Sequence, residues 1–471
     1  MEDIAKLNKP QLISKCKEIG IKGYSSKNKT QLIDLIVQKQ NNESASSTNI
    51  NPDNSDNNAL SNNIVINDTV PIIANVEPAD NEPGSLRFID LFCGIGGFHQ
   101  ALSKIGAKCV LACDIDKDCR AVYKDNYGIE PVNDVKKIDE KTMPDFDILC
   151  GGFPCQAFSN GGNKKCFQDN RGLLFDEIIR IASVKKPRFM FLENVKHILK
   201  VSNGEVIEYI KQKIAAIGYH LQLFQISPHN FGIPQQRERV YFVCIRNDIY
   251  KGYNISLPKE NCRPIQLEKF LDKKETISSK YFIKDDVLNV LESWDEMIKK
   301  FQVGEKISPT IMINDAYKTY TQEEFDAFPP WKKDYITKNK PLIQKYKKEF
   351  DEWYSKHSEI LKKREIYGKL EWQTGEIKEG DSIFNHFIQI RQSGIRVKKG
   401  KYFPTLVAIS QIPIYGKEKR YITPRECARL QSFPDTFKLS VDDKKSYKQL
   451  GNSVNVDNVY TVISSTLNEY V

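Results

Sequence analysis

The junction where Phe146-Asp147-Ile148-Leu149-Cys150 runs into Gly151-Gly152-Phe153-Pro154-Cys155-Gln156 constrains this chain more than any other feature. The apolar run reads as a buried strand. Two glycines let the backbone turn tightly behind it, and Pro154 fixes φ just ahead of Cys155. A thiol held on a rigid turn at the carboxyl end of a strand sits where open α/β sheets bind their ligands. Taken alone, a cysteine after a proline is more often a packed thiol in an ordinary turn. Its company decides between the two.

Phe88-Ile89-Asp90-Leu91 leads into Phe92-Cys93-Gly94-Ile95-Gly96-Gly97, a strand entering a glycine loop, and Phe98, Ala101, Leu102 and Ile105 then recur at helical spacing. The loop is not the dinucleotide fingerprint, whose third glycine comes two residues later. Asp114 follows the apolar run Val110-Leu111-Ala112 and would end a second strand, where a carboxylate suits a ribose diol. Asp134 lies beyond Pro131-Val132 in the next unit. No Gly-Lys-Ser or Gly-Lys-Thr follows a glycine loop, which argues against nucleotide hydrolysis. A nucleoside-bearing cofactor fits better than a phosphate-bearing one.

Phe189-Met190-Phe191-Leu192 ends in Glu193-Asn194-Val195; a strand terminus and a helix cap are both open readings. Gln235-Gln236-Arg237-Glu238-Arg239 precedes Val240-Tyr241-Phe242-Val243, either as a solvated charge run or as a functional strand start. Pro424-Arg425-Glu426-Cys427-Ala428-Arg429-Leu430-Gln431 and Gln449-Leu450-Gly451-Asn452-Ser453-Val454 come near the end. In order, spacing and wording these segments resemble the C5-cytosine DNA methyltransferase family, over residues 86–250 and 385–460.

The resemblance implies a doubly wound α/β domain, Rossmann-like and dependent on S-adenosylmethionine, with a smaller irregular target-recognition domain. It implies that Cys155 adds to cytosine C6, Glu193 meets N3, Arg239 approaches O2 and Arg237 stands beside the nucleophile. It implies a cofactor pocket of Phe92, Gly94, Gly96, Gly97, Asp114, Ile115, Asp134, Val135, Pro154, Leu174, Asn452 and Ser453. For Asn452 and Ser453 to take part, the end of the chain must return to the first domain. The target base must also leave the duplex, since C6 is out of reach inside the stack. Gln156 of the nucleophile turn, and Ser159 and Lys164 in the basic, glycine-rich stretch 159–165 that follows it, are then candidates for DNA contact, as is Thr405 in a short signature of the recognition domain. The expected reaction is DNA cytosine-5 methylation within a short specific sequence, with a cognate restriction endonuclease as a candidate partner. A tRNA cytosine-5 methyltransferase and a catalytically silent DNA-binding paralogue are the alternatives.

Residues 1–40 are expected to form a separate helical module. Leu7, Leu12, Ile19 and Ile21 precede a basic turn, and Leu32, Ile33 and Ile36 follow it at helical spacing. The pattern resembles the SAP-type DNA-binding module; a helical hairpin for protein contact is the other reading. Residues 41–84 hold seven acids and no Lys or Arg, in an Asn- and Ser-rich stretch that reads as a disordered linker. The chain's net +9 is therefore concentrated elsewhere, which suits a polyanionic partner. The catalytic domain is expected over 85–255, the recognition domain over 256–440 and the returning segment over 441–471. Within the recognition domain, Lys345–Tyr354 reads as a helix with a solvated face, and Arg391, Gln392 and Arg396 are candidates for base or phosphate contacts. Eleven cysteines without metal-ligand spacing suggest reduced thiols and no metal site. With no apolar leader and no stretch of about 20 apolar residues, an intracellular, monomeric protein is expected.

Overall fold

The computed structural model describes residues 9–18, 29, 32–33, 36, 85–154, 173–259, 265–408 and 411–471. The chain divides into two units, Met1–Asp68 and Thr69–Val471. In the first, the helix Lys9–Glu18 supplies Leu12 and Cys16 to a small core shared with Leu32 and Ile36. These include three of the seven positions singled out above; Leu7, Ile19, Ile21 and most of the basic turn lie outside the described residues.

In the second unit, the first strands are mostly apolar because both of their faces are covered. β1 (Arg87–Leu91), β2 (Lys108–Cys113), β3 (Ile148–Gly152) and β4 (Phe189–Val195) run parallel; β5 (Tyr219–Ile226) and β6 (Arg239–Arg246) complete a mixed sheet of order β2-β1-β3-β4-β6-β5, with β6 antiparallel to both of its neighbours. Alternation survives as a choice between two cores. Phe88, Ile148, Phe189, Phe191 and Val243 join a core with the helices Gly97–Ser103 and Val456–Tyr470. Ile89, Leu91, Leu149, Met190 and Phe242 join another with the helices Leu173–Lys185 and Glu205–Ala216. Helices on both faces make this an α/β fold, and a parallel bridge from Cys113 to Val132 carries the β2 edge on towards Asp134.

The region expected to be irregular holds a second mixed sheet, with β7 (Ile311–Met312), β8 (Lys369–Gln373), β9 (Phe387–Arg391), β10 (Gly394–Lys398), β11 (Ile414–Tyr415) and β12 (Arg420–Tyr421) in the order β12-β11-β9-β10-β8-β7. It packs on helices Asp285–Ile298 and Lys347–Lys362 around the adjoining indoles of Trp294 and Trp353. Both indoles are satisfied: Trp294 donates to the Tyr367 carbonyl at 2.8 Å and Trp353 to that of Ser293 at 2.7 Å. The 345–354 stretch is helical over most of its length, but it is not simply a solvated face, since Phe350, Trp353 and Tyr354 are core residues. The chain also returns earlier than expected. Ile422, Cys427, Leu430, Phe433 and Phe437 already belong to the core of the first sheet, well before residue 441.

Candidate active site

β1 ends in a chain reversal with Phe92 at φ 56°, Gly94 at φ 53° and Gly96 at φ 85°. A side chain at Gly96 would meet the Tyr127 ring at 2.3 Å, and one at Gly97 would meet Val454 Cγ2 at 2.5 Å, so this helix start is seated against the returning segment. Gly94, by contrast, faces open space. Asp114, at the end of β2, accepts from the Gly94 N–H and from the Asp116 N–H, each at 2.7 Å. Burial raises its pKa, and those two N–H groups oppose the rise. Ile115 beside it is 80% exposed.

The other expected cofactor residues divide. Pro154 and Asn452 are exposed and Leu174 is half-buried. Asp134 accepts the Lys136 N–H at one carboxylate oxygen, and Val135 is a core side chain. Ser453 is buried, with its hydroxyl donating to the Val454 carbonyl and lying close to Gly97. The chain end therefore packs against the first sheet and its glycine loop. Arg180, which sequence reasoning missed, holds the 135–138 turn through the carbonyls of Val135 and Ile138.

At the centre of the sheet, Gly152 of β3 pairs with Glu193 of β4. Glu193 and Asn194 thus belong to a strand rather than a helix cap. Asn194 donates its amide to the Phe153 carbonyl at 2.9 Å, holding the exit from β3. Cys155, Gln156, Ser159 and Lys164 lie outside the described residues. Glu193 is buried and its Oε1 lies 2.8 Å from Nε of Arg239. Burial raises its pKa, while Arg239 and Arg237 pull it down. A buried carboxyl so balanced can keep a proton that an exposed one would lose.

Arg237, expected beside the nucleophile, is buried. Its guanidinium donates to the carbonyls of Leu406 at 2.7 Å, Gly451 at 3.0 Å and Ser453 at 2.8 Å. Thr405 donates to the Gln236 carbonyl at 2.6 Å, and Gln431 reaches the carbonyls of Leu450 and Ser453. These bonds tie the 235–237 turn, the entry to the C-terminal part and the Gly451–Ser453 turn into one buried polar knot. Farther out, Arg391 and Arg396 stand half-buried on β9 and β10, and Gln392 is exposed in the hairpin turn between them.

The site is therefore a strand end leading to a cysteine, a buried carboxyl paired with a partly buried guanidinium beside it, and a glycine loop with an acidic second strand. Comparison with known proteins gives the same answer over most of the chain. The profile of the family described as C-5 cytosine-specific DNA methylase matches residues 86–468. Type II methyltransferase M.HhaI of Haemophilus parahaemolyticus is 32% identical over 396 residues, covering 83% of this chain and 98% of that protein. Type II methyltransferase M1.ScrFI of Lactococcus lactis subsp. cremoris is 32% identical over 406 residues, covering 83% and 81% respectively. A solved S. pombe Dnmt2 methyltransferase aligns at TM-score 0.49 with 21% identity, covering 82% of this chain and 98% of that one. The chain belongs to the C-5 cytosine-specific DNA methylase family and is a DNA cytosine-5 methyltransferase.

Proposed function

We propose that the chain methylates a cytosine turned out of duplex DNA, within one short sequence, through a covalent bond from Cys155 to C6. The observation that carries this reading is the Glu193–Arg239 pair beside the strand end that leads to Cys155. Addition of the Cys155 thiolate to C6 pushes an electron pair toward O2 and N3 of the ring. Glu193 holds a proton at N3, and the Arg239 guanidinium offsets charge at O2. The ring then carries its electron density at C5. S-adenosylmethionine, when bound, supplies the electrophilic methyl group. Loss of the C5 proton to a base and expulsion of the thiolate restore the aromatic ring and free Cys155.

The residues present fit such a cofactor. Each Asp114 oxygen accepts one backbone N–H and keeps a lone pair for a ribose hydroxyl, Ile115 offers an exposed apolar face, and Gly94 leaves room for close approach. Phe92 and the backbone of the glycine loop complete that wall. Arg391, Gln392 and Arg396 are proposed to contact DNA, and the SAP-like unit at 1–40 to tether it, raising its local concentration without choosing the sequence. The type II relatives support a place as the modification half of a restriction–modification system. The protein is proposed to act inside the cell as a monomer.

The test is methyl transfer from labelled S-adenosylmethionine to unmethylated genomic DNA, with 5-methylcytosine mapped at base resolution and tRNA assayed in parallel. Label confined to one short DNA motif is the expected result. Label in tRNA alone, or cofactor bound without transfer, would overturn it. Glu193→Gln keeps the shape but removes the proton-holding acid. Its kcat is expected to fall by roughly 10²- to 10⁴-fold with cofactor affinity unchanged, read from single-turnover kinetics beside calorimetric titration.

A further inference from the structure

Strand alternation gives the second sheet two unlike faces. Ile388 and Ile390 of β9, Ile395 and Val397 of β10, and Leu370 and Trp372 of β8 pack into the helical core. The register puts Gln389, Arg391, Arg396, Lys398, Glu371 and Gln373 on the other face. At one end of that face, Phe387 packs on Phe403 with ring centroids 3.9 Å apart. Phe403 is bonded through its backbone to Pro234 and Gln236, just ahead of Arg237 and Arg239. The polar face is thus continuous with the reactive end of the first sheet, and Arg391 lies about 13 Å farther along β9.

Two guanidiniums on this face are gripped at one nitrogen each. Arg396 donates Nε to Glu371 Oε2 at 2.6 Å, and Arg391 donates Nε to Gln411 Oε1 at 3.1 Å. Gln411 is itself held, its carbonyl accepting from the buried Gln389 amide at 3.2 Å. Among the described residues, no side chain or carbonyl meets the terminal nitrogens of either guanidinium. Burial and repulsion from Arg396 lower the pKa values of Arg391 and Lys398, and Glu371 is the carboxylate that opposes this. The face is therefore short of acceptors.

Building on the reading of the chain as a DNA methyltransferase, we propose that Arg391 and Arg396 read guanine edges in the major groove, with Glu371 and Gln411 as the positioning residues that orient them. Guanine O6 and N7 accept a planar two-nitrogen fork, whereas a phosphate accepts any cation. Glu371, 2.6 Å from Arg396, would repel a phosphate seated on the same guanidinium but not a neutral base. The target sequence then contains a guanine besides the one paired with the methylated cytosine.

The experiment maps 5-methylcytosine produced on unmethylated genomic DNA by the full chain and by its Arg396→Lys, Arg391→Lys and Glu371→Gln variants. Arg396→Lys keeps the charge and loses the fork. Preference at one guanine position is expected to relax, with kcat/KM on the original site falling roughly 5- to 150-fold. Glu371→Gln is expected to relax the same position to a smaller degree, with an unchanged melting temperature. Arg391→Lys should relax a different position, and it keeps the proposal testable should the Arg396 variant fold poorly. A wild-type motif lacking any further guanine, or lysine variants that keep the full wild-type preference, would overturn the proposal and leave the methyltransferase reading standing. Absence of DNA methylation by the wild type would overturn both.

Discussion

Cys155→Ser is expected to lower methyl transfer by about 10⁴-fold or more while leaving cofactor affinity unchanged. The reaction needs a strong nucleophile at C6. A free thiol with a pKa of about 8.5 is a few per cent thiolate at neutral pH, and an alcohol is almost wholly protonated. Among the described residues, the cysteines near the loop offer no substitute. Burial pushes the Cys109 and Cys113 thiols up to about 12, and it also raises Cys93 and Cys150 well above the ordinary thiol range. The strand leading to Cys155 is fixed at two points. A side chain at Gly151 would meet the Leu91 carbonyl at 2.5 Å, and Asn194 holds the Phe153 carbonyl. Single-turnover transfer, with calorimetric titration of S-adenosylmethionine alongside, measures both halves of the expectation. A serine variant within tenfold of wild type would remove covalent catalysis from the mechanism.

The first sheet and its loops were legible because their chemistry sits at strand ends. Asp114 after Val110–Ala112, and Glu193–Asn194 after Phe189–Leu192, stand where an apolar run meets a polar residue, and that boundary is local. The second sheet was not legible in the same way. Phe387–Arg391 and Gly394–Lys398 alternate apolar with Gln, Arg and Lys, so their polar residues read as candidate DNA contacts and the Ile and Val positions between them went unread as a buried face. In the helix Lys347–Lys362, the density of Lys and Glu hid Phe350, Trp353 and Leu361, which are spaced at three, then eight residues along one buried side. Glu371 and Gln411 could not have been found as partners of Arg396 and Arg391, since neither pairing has a signature until the strands are in register. The least legible role was that of Arg237. Its three acceptors are 169, 214 and 216 residues away in sequence and are backbone carbonyls, so no residue type marks them.

That role carries the second large effect. Arg237→Met is expected to cost about 2–6 kcal/mol of stability, because it strips the donors from two buried carbonyls. Methionine fills much of the volume, so the loss falls on hydrogen bonding. The Leu406 and Gly451 carbonyls lose their guanidinium donors, while Ser453 keeps Gln431 at 3.3 Å. An unsatisfied buried carbonyl costs about 1–3 kcal/mol. Burial and the neighbouring Arg239 push the Arg237 pKa down to about 9, still above neutral, so the wild-type clamp stays charged. Arg237→Lys separates clamping from substrate contact. An ammonium cannot span the three carbonyls that the planar fork reaches, so the lysine variant should also melt lower. Ser453 lies close to Gly97 of the cofactor loop, and the Leu406 segment is joined through Thr405 to Gln236. The KM for S-adenosylmethionine and for DNA should therefore rise together, with a smaller change in kcat. Thermal unfolding and steady-state kinetics on both variants test this. If the lysine variant lost kcat with an unchanged melting temperature and unchanged KM values, Arg237 would act in the chemical step beside the nucleophile, as the resemblance first implied, rather than hold the site together.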